Sequence, residues 1–538
     1  MAIAAIWNTR DVISLVQQYG TSLLAAGLSA WICYIISLVV YRLYLSPLAK
    51  FPGPKLAALT SWYEIYYNIF KKGGGQYIFK IKQMHEKYGP IVRINPFELH
   101  VDDPAYFDVV YATNKQFDKV EMFARSIGAP LAAFGTVESG KHRQRRGAMA
   151  AFYSRARSRD HGHRVQIVVD RISRRFATEY AGTNKVVNLS YVWGSLSSDV
   201  IMEVAFARPK LFTDAPDFKS SLAIGLSDLL YTSHTFMHFS TIQYLVSALP
   251  GWFTKTFVPP IKSVVEAQEE IGSQVADMVS GQNNEAKETP LPTLYRDILT
   301  SRLPPEELTY PRLRDEAIST IAAGIDTTKW TLSVACYHIL ANPEVERRLR
   351  AELNERIPDP NQIPDWFELE TFTFLNAIVN ESLRLACAVS ERMPRINKTA
   401  PWTYRDFVIP PGVPVGMDIW TMHHNAVLFP EPSVFKPERW LGDPKVEPEL
   451  LERAGYLPPL DGKTKPLTHY MVGFGKGTRM CVGMYLAYAE IYIGLATIFR
   501  RHELELYETT RKDVDIACEM ILSLPWKGSK GIRVRVKK

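Results

Sequence analysis

The residues best placed to do chemistry lie near the C-terminus, where the chain reads FGKGTRMCVGMYLAYAEIYIGLATIFR: a glycine-rich loop with one cysteine, then a long apolar helical pattern. Cys481 falls at the junction. Sulfur ligates metals as the thiolate, and the free N–H groups of a helix N-terminus lower a thiol's pKa and donate hydrogen bonds to it. Gly475 and Gly477 let the loop fold tightly beneath a flat ligand, Gly483 lets the helix backbone come close, and Arg479 reaches a carboxylate on that ligand. Cys33, Cys336, Cys387 and Cys518 are scattered without a CxxC pair, so neither zinc nor a redox couple is expected from them, and a reducing compartment fits.

Three further constellations accompany the cysteine. An apolar helix is expected from about Arg312 to Ala341, closed by Asn342 as cap of the next helix and Pro343 in that helix's first turn. Its middle reads AAGIDTT, placing a glycine, an acid and two hydroxyls where apolar flanks exclude solvent. In ESLR, Glu381 and Arg384 form an i, i+3 pair; the flanks FLNAIVN and LRLACAV bury it, so it needs further partners. In KHRQRRGAM, His142 and Arg146 offer donors to an anionic group.

Phe474, Gly475, Gly477, Arg479, Cys481 and Gly483 match FGxGxRxCxG, the heme-binding signature of the cytochrome P-450 family, without a departure, and the chain resembles that family along essentially its whole length. The resemblance implies a mainly α fold with a minor β region, and heme b (iron protoporphyrin IX) between the central helix and the cysteine loop. Cys481 would be the axial ligand of the iron. Ala323, Gly324, Asp326 and Thr327 match the family's oxygen-activation motif: Gly324 would leave room for dioxygen, and Asp326 with Thr327 would relay protons, Thr328 assisting. Arg439 of FKPERW would join Glu381 and Arg384 in a structural lock behind the heme. His142 departs from the family pattern, which has an aromatic residue there with an arginine four positions on, here Arg146. Arg395 in SERMPRI is expected in a strand beside the heme, and PIVRINPFELHV, near residues 90 to 101, in the minor sheet.

The elements that must position this site begin with an anchor. No charge occurs from Val12 to Tyr41, and TSLLAAGLSAWICYIISLVV is long enough to cross a bilayer as a helix. A signal peptide has a basic start and a shorter apolar run, whereas Arg10 and Asp11 cancel here. Arg42, Lys50 and Lys55 follow the span, which places the rest in the cytosol. Pro47, Pro52 and Pro54 then make a stiff hinge. The expected organisation is a luminal tail at 1–11, a transmembrane helix at 12–41, a proline-rich hinge at 42–55 and a catalytic domain at 56–538, single-pass in the endoplasmic reticulum membrane. Sequons stand at Asn188, Asn380 and Asn397, but Asn380 adjoins the buried Glu381, which favours the cytosolic side. With 46% hydrophobic residues, no repeat, and a net charge of +7 spread among acids, the chain reads as globular, and nucleic acid binding is unsupported.

A thiolate ligand favours cleavage of dioxygen over its carriage, so the expected reaction is monooxygenation. No dinucleotide or flavin fingerprint is present, so electrons must come from outside. The resemblance implies an NADPH-dependent cytochrome P-450 reductase, with cytochrome b5 as an additional donor, docking on basic residues of the cysteine face such as Lys476. YRLYLSPLAKFPGPKLAAL, GPIVRINPFELHVDDP and HHNAVLFPEPSVFKPERWL are similar to fungal microsomal members of secondary metabolism, which implies a lipophilic terpenoid or polyketide substrate. Its contacts are expected from residues 123–134, about 211–253, 389–392, and the central helix around Thr320 and Ala323. The alternatives are a heme-thiolate isomerase or dehydratase, members of which commonly lack the acid and alcohol pair, and a non-catalytic heme sensor.

Overall fold

The computed structural model describes residues 9–257 and 262–537. Residues 1–8 of the expected tail lie outside them, and Thr9 to Asp11 already belong to the first helix, α1 (Thr9–Val40). A turn of π-helix at Tyr41–Leu45 extends it. The stretch Gln18–Leu45 is long and apolar enough to cross a membrane, with mean hydropathy 2.3 and none of it buried in the protein.

The proline segment that follows is laid onto the body. Leu48 and Phe51 are buried, Phe51 stacks on Phe407 with ring centroids 5.2 Å apart, and Arg93 N–H donates to Pro52 O at 2.7 Å. Arg42 donates to the Leu59 carbonyl.

The body is mainly helical: α2 (Ser139–Ala150), α3 (Ser158–Arg175), α4 (Leu189–Phe206), α5 (Ser221–Leu230), α6 (Ser233–His238), α7 (Ser240–Ala248), α8 (Gly251–Phe257), α9 (Lys262–Ser280), α10 (Tyr310–Ala341), α11 (Pro343–Arg356), α12 (Thr373–Ala386) and α13 (Met484–Arg501). The central helix α10 is apolar around most of its circumference, with Leu313, Ile318, Ile321, Ile325, Leu332 and Ile339 all buried, and such a helix belongs inside a protein. It packs against α4, α9, α12 and α13. Pro311 sits in its first turn. At its end the expectation needs correcting: Asn342 stands at the start of α11 but makes no side-chain cap there. Its amide donates backward to His338 O at 2.6 Å, satisfying a terminal carbonyl of α10 instead.

The β region is small. β1 (Ile91–Arg93), β2 (Leu99–Val101), β3 (Asp118–Lys119), β5 (Arg395–Ile396) and β6 (Pro414–Gly416) form one sheet in the order β1-β2-β6-β5-β3. β1 and β2 pair antiparallel with Ile91 opposite Val101, as the apolar segments near residue 90 suggest. β4 (Val186–Asn188), β7 (Leu504–Leu506) and β10 (Arg533–Val536) make a second sheet, and β8 (Cys518–Met520) pairs with β9 (Leu522–Leu524) in a hairpin. One apolar core lies among the helices and another behind the first sheet.

Candidate active site

Backbone geometry shapes the cysteine loop before any side chain does. Gly475 and Gly477 adopt φ of 70° and 76°, and a Cβ on Gly477 would stand 2.4 Å from the Tyr111 carbonyl oxygen, so only glycine passes there. Gly475 N–H donates to Val472 O at 2.7 Å and Cys481 N–H to Phe474 O at 2.9 Å, folding the loop back on itself. Phe474 packs on Tyr488 of α13. Cys481 is exposed, and what it faces is an internal cavity. Burial pushes its thiol above the ordinary value, against the Gly483 N–H and Arg146, which lower it. The helix α13 starts only at Met484, and a cation bonded to the sulfur would favour its ionised form against that burial.

Behind the loop, Arg384 grips Glu381 through Nε at 2.9 Å and Nη2 at 2.8 Å. Arg439 Nε donates to Glu381 Oε1 at 3.0 Å, so the three residues do meet. Burial alone would raise the Glu381 carboxyl, but Arg384 and Arg439 hold it below its ordinary value. Sequence reasoning missed two members. Trp440 Nε1 donates to Glu381 Oε2 at 2.9 Å. His423, kept neutral by burial with its pKa lowered to about 3, donates from Nδ1 to Arg384 O at 3.0 Å and accepts from Val472 N–H at 3.0 Å. That imidazole ties the lock to the cysteine loop.

Across a cavity of about 310 Å³ stands α10, presenting Thr320, Ala323, Gly324, Thr327 and Thr328. Thr327 Oγ1 donates to Ala323 O at 2.8 Å. A Cβ on Gly324 would lie 3.3 Å from Ile201 Cδ1, so close packing of α10 on α4 asks for glycine there. Asp326 turns the other way: Ser227 Oγ of α5 donates to its Oδ1 at 2.7 Å, and Lys329 pairs with the same oxygen.

At the cavity edge, Lys119, His142, Arg146, Arg395 and Arg479 converge, and none of them forms an ion pair among the described residues. Arg479 donates to Thr136 O at 2.6 Å and Val137 O at 2.8 Å, while its Nε has no partner. Burial first, then Arg395, lowers Arg479 to about 9. Burial and Arg479 lower His142 to about 2. The nearby Asp118 carboxylate is committed to Lys398 and the Ser139 N–H. Cations gathered in a buried place without counter-charge are stable only opposite an anion. The cavity thus offers a sulfur ligand on one side, hydroxyls on the other and an anion site at its edge.

A family model described as Cytochrome P450 matches residues 58–529. The chain is 38% identical to the "Cytochrome P450 monooxygenase orf4" of Eupenicillium brefeldianum over 508 residues, 93% of this chain and 96% of that protein. It is 35% identical to the "Cytochrome P450 monooxygenase sdnE" of Sordaria araneosa over 515 residues, 94% of this chain and 96% of that one. The "Cytochrome P450 monooxygenase oblB" of Cochliobolus heterostrophus shares 37% identity over 534 residues, 95% of both. The chain belongs to the cytochrome P450 family. It is a P450 monooxygenase, and the family's heme fits the residues present, which supply one sulfur for iron and a cationic edge, with an orphaned Arg479 Nε, for two carboxylates.

The structure brings Cys481, Arg479, His142, Arg146 and Arg395 of this P450 around one cavity, and Arg395 does lie in a strand, β5. Lys119, on the short strand β3, is the cation sequence reasoning missed. Glu316 of α10 was missed too; it accepts from Ala133 N–H at 3.0 Å and so fastens the 123–134 segment to the central helix. From that segment Ala133 and Phe134 line the cavity, and from 389–392 Val389 and Glu391 do. Among the described residues none of 211–253 lines it, contrary to expectation: Met237 packs instead on Phe123 and Ile521, a roof outside the lining. Lys476, on the cysteine loop, pairs with Asp108 beside His469.

Proposed function

We propose that this P450 hydroxylates or otherwise oxidises a lipophilic secondary metabolite of terpenoid or polyketide type, anchored by α1 in the endoplasmic reticulum membrane with its body in the cytosol. Electrons come from an NADPH-dependent cytochrome P450 reductase, with cytochrome b5 as a second donor. The apolar cavity wall of Ala133, Phe134, Ile201, Ala388, Val389 and Met393 supports the substrate class. Bound heme, ligated by Cys481, supplies the activation of dioxygen.

The chain's own residues do the rest. Arg479, Arg395, Arg146 and Lys119, with the neutral His142 as a hydrogen-bonding neighbour, would hold the two heme carboxylates, which would offset part of their charge. The lock of Glu381, Arg384 and Arg439 keeps the loop under Cys481 in place through His423. Thr327 faces the cavity opposite Cys481 and orders the water that delivers protons, its hydroxyl set by the Ala323 carbonyl. Asp326, between Ser227 and Lys329, takes protons from the α5 side and must turn from Lys329 to pass them on.

The adjacent acid and alcohol on α10 carry the reading, since heme-thiolate isomerases and dehydratases commonly lack that pair, and a sensor consumes no NADPH. The test is NADPH consumption with a reductase and the true substrate, identified as the precursor that accumulates when the gene is absent. Turnover that yields oxidised product supports the reading; a product formed without NADPH contradicts it.

A further inference from the structure

We propose that His234, Glu391 and Glu519 form a second, buried metal site, for a divalent cation of zinc type, where the roof helix α6 meets the cavity wall and β8. His234 Nε2 lies 3.6 Å from Glu391 Oε2 and 3.3 Å from Glu519 Oε2. All three side chains are buried, at 2%, 1% and 0% exposure.

The three facing atoms have no hydrogen-bond partner. They converge without the alignment a hydrogen-bonded ion pair adopts. On the other side of the ring, His234 Nδ1 meets the Asn68 carbonyl oxygen at 3.1 Å. A carbonyl only accepts, so Nδ1 carries a proton and Nε2 is the nitrogen left to face the carboxylates, as a ligand once its own proton is released; a carbonyl on the far nitrogen is the arrangement that orients metal-bound histidines. Ligands about 2.0–2.1 Å from a tetrahedral zinc stand roughly 3.4 Å from one another, close to the spacing found.

Charge points the same way. Arg392 is a permanent cation shared by Glu98 at 3.0 Å, Glu391 at 3.1 Å and also Glu64, whereas Glu519 faces Glu391 and His234. His238 is no help, because burial lowers it to about 4. At the triad itself a dication, two carboxylates and a neutral imidazole sum to zero, which leaves Arg392 to Glu64 and Glu98. Asn68 Oδ1, Ser233 Oγ and Ser390 Oγ, neighbours of the triad in the chain or by hydrogen bond, are also buried without partners. The competitor is a proton: without metal, Glu519 and Glu391 outweigh burial and raise His234 to about 10, so metal uptake must release it.

The test uses tag-free, full-length holoenzyme, incubated with zinc and dialysed, with zinc and heme counted separately by mass spectrometry. About one zinc per chain is expected. It should fall below a tenth in His234→Ala and Glu519→Gln with the reduced carbon monoxide spectrum of the heme retained. Because either variant could fold poorly, the wild type is also treated with a chelator, which should lower Tm, and zinc should restore it. Less than a tenth of a zinc per wild-type chain with no Tm response, or undiminished zinc in folded variants, would overturn the site and leave an imidazolium between two carboxylates.

Discussion

Thr327 and Asp326 are neighbours in sequence that face opposite ways, one into the cavity and one toward α5, and that split assigns them separable effects. Thr327→Ala should lower the ratio of oxidised product to NADPH consumed and raise hydrogen peroxide, with heme content unchanged; an unchanged ratio removes the hydroxyl from the proton path. General acid–base assistance is typically worth about 10²–10⁴-fold, so the change is well within measurement. Asp326→Asn should slow NADPH consumption itself, read in the same assay, because the carboxylate recharges the relay. The motif was legible in AAGIDTT, but the direction of Asp326 was not, since it depends on Ser227, a residue 99 positions away. Lys119 stayed hidden for a related reason. A single lysine on a two-residue strand leaves no local pattern, and only the fold places it beside Arg395 and Arg479.

Elements join these residues through two helix contacts whose energetics differ. The lock on α12 is a buried charge network, and Glu381→Ala strands Arg384 and Arg439 without their carboxylate, a loss of about 3–5 kcal/mol. Heme-free or aggregated protein is the expected outcome, checked by heme per chain; a fully loaded variant with normal turnover would reduce the lock to an ordinary ion pair. Between α13 and α4, Glu490 accepts from Ser197 Oγ at 2.6 Å, and burial raises its carboxyl to about 8. Unfolded, it titrates near 4.3. The folded protein therefore binds the extra proton between those values, so the contribution of Glu490 to stability is fully present below about pH 4.3 and is lost as pH rises toward about 8. Glu490→Gln should flatten the wild-type decline in Tm across that window; a parallel decline in the variant would show the carboxyl already ionised. The i, i+3 spacing made the lock readable in sequence, whereas Glu490 and His423 look like ordinary helical residues until their helices pack.

For the whole molecule, the long apolar run of α1 and the cysteine signature were plain in sequence because each is complete within one short stretch. The roof was not, because it is assembled from segments whose polarity is mixed and whose positions depend on one another. That roof bears on membrane attachment: Tyr244, Leu245, Trp252 and Phe257 of α7 and α8 are each more than half exposed, a patch suited to lipid. A chain lacking residues 1–45 keeps Leu48 and Phe51 in their core and should still sediment in part with membranes. Complete solubility would deny the patch that role. The most direct test of the molecule as a thiolate-ligated heme enzyme is the absorption spectrum of the reduced carbon monoxide complex. Wild-type protein should show the strongly red-shifted band that a thiolate ligand confers, and Cys481→Ser should lose it even where heme is retained; persistence of that band in Cys481→Ser would contradict the assignment.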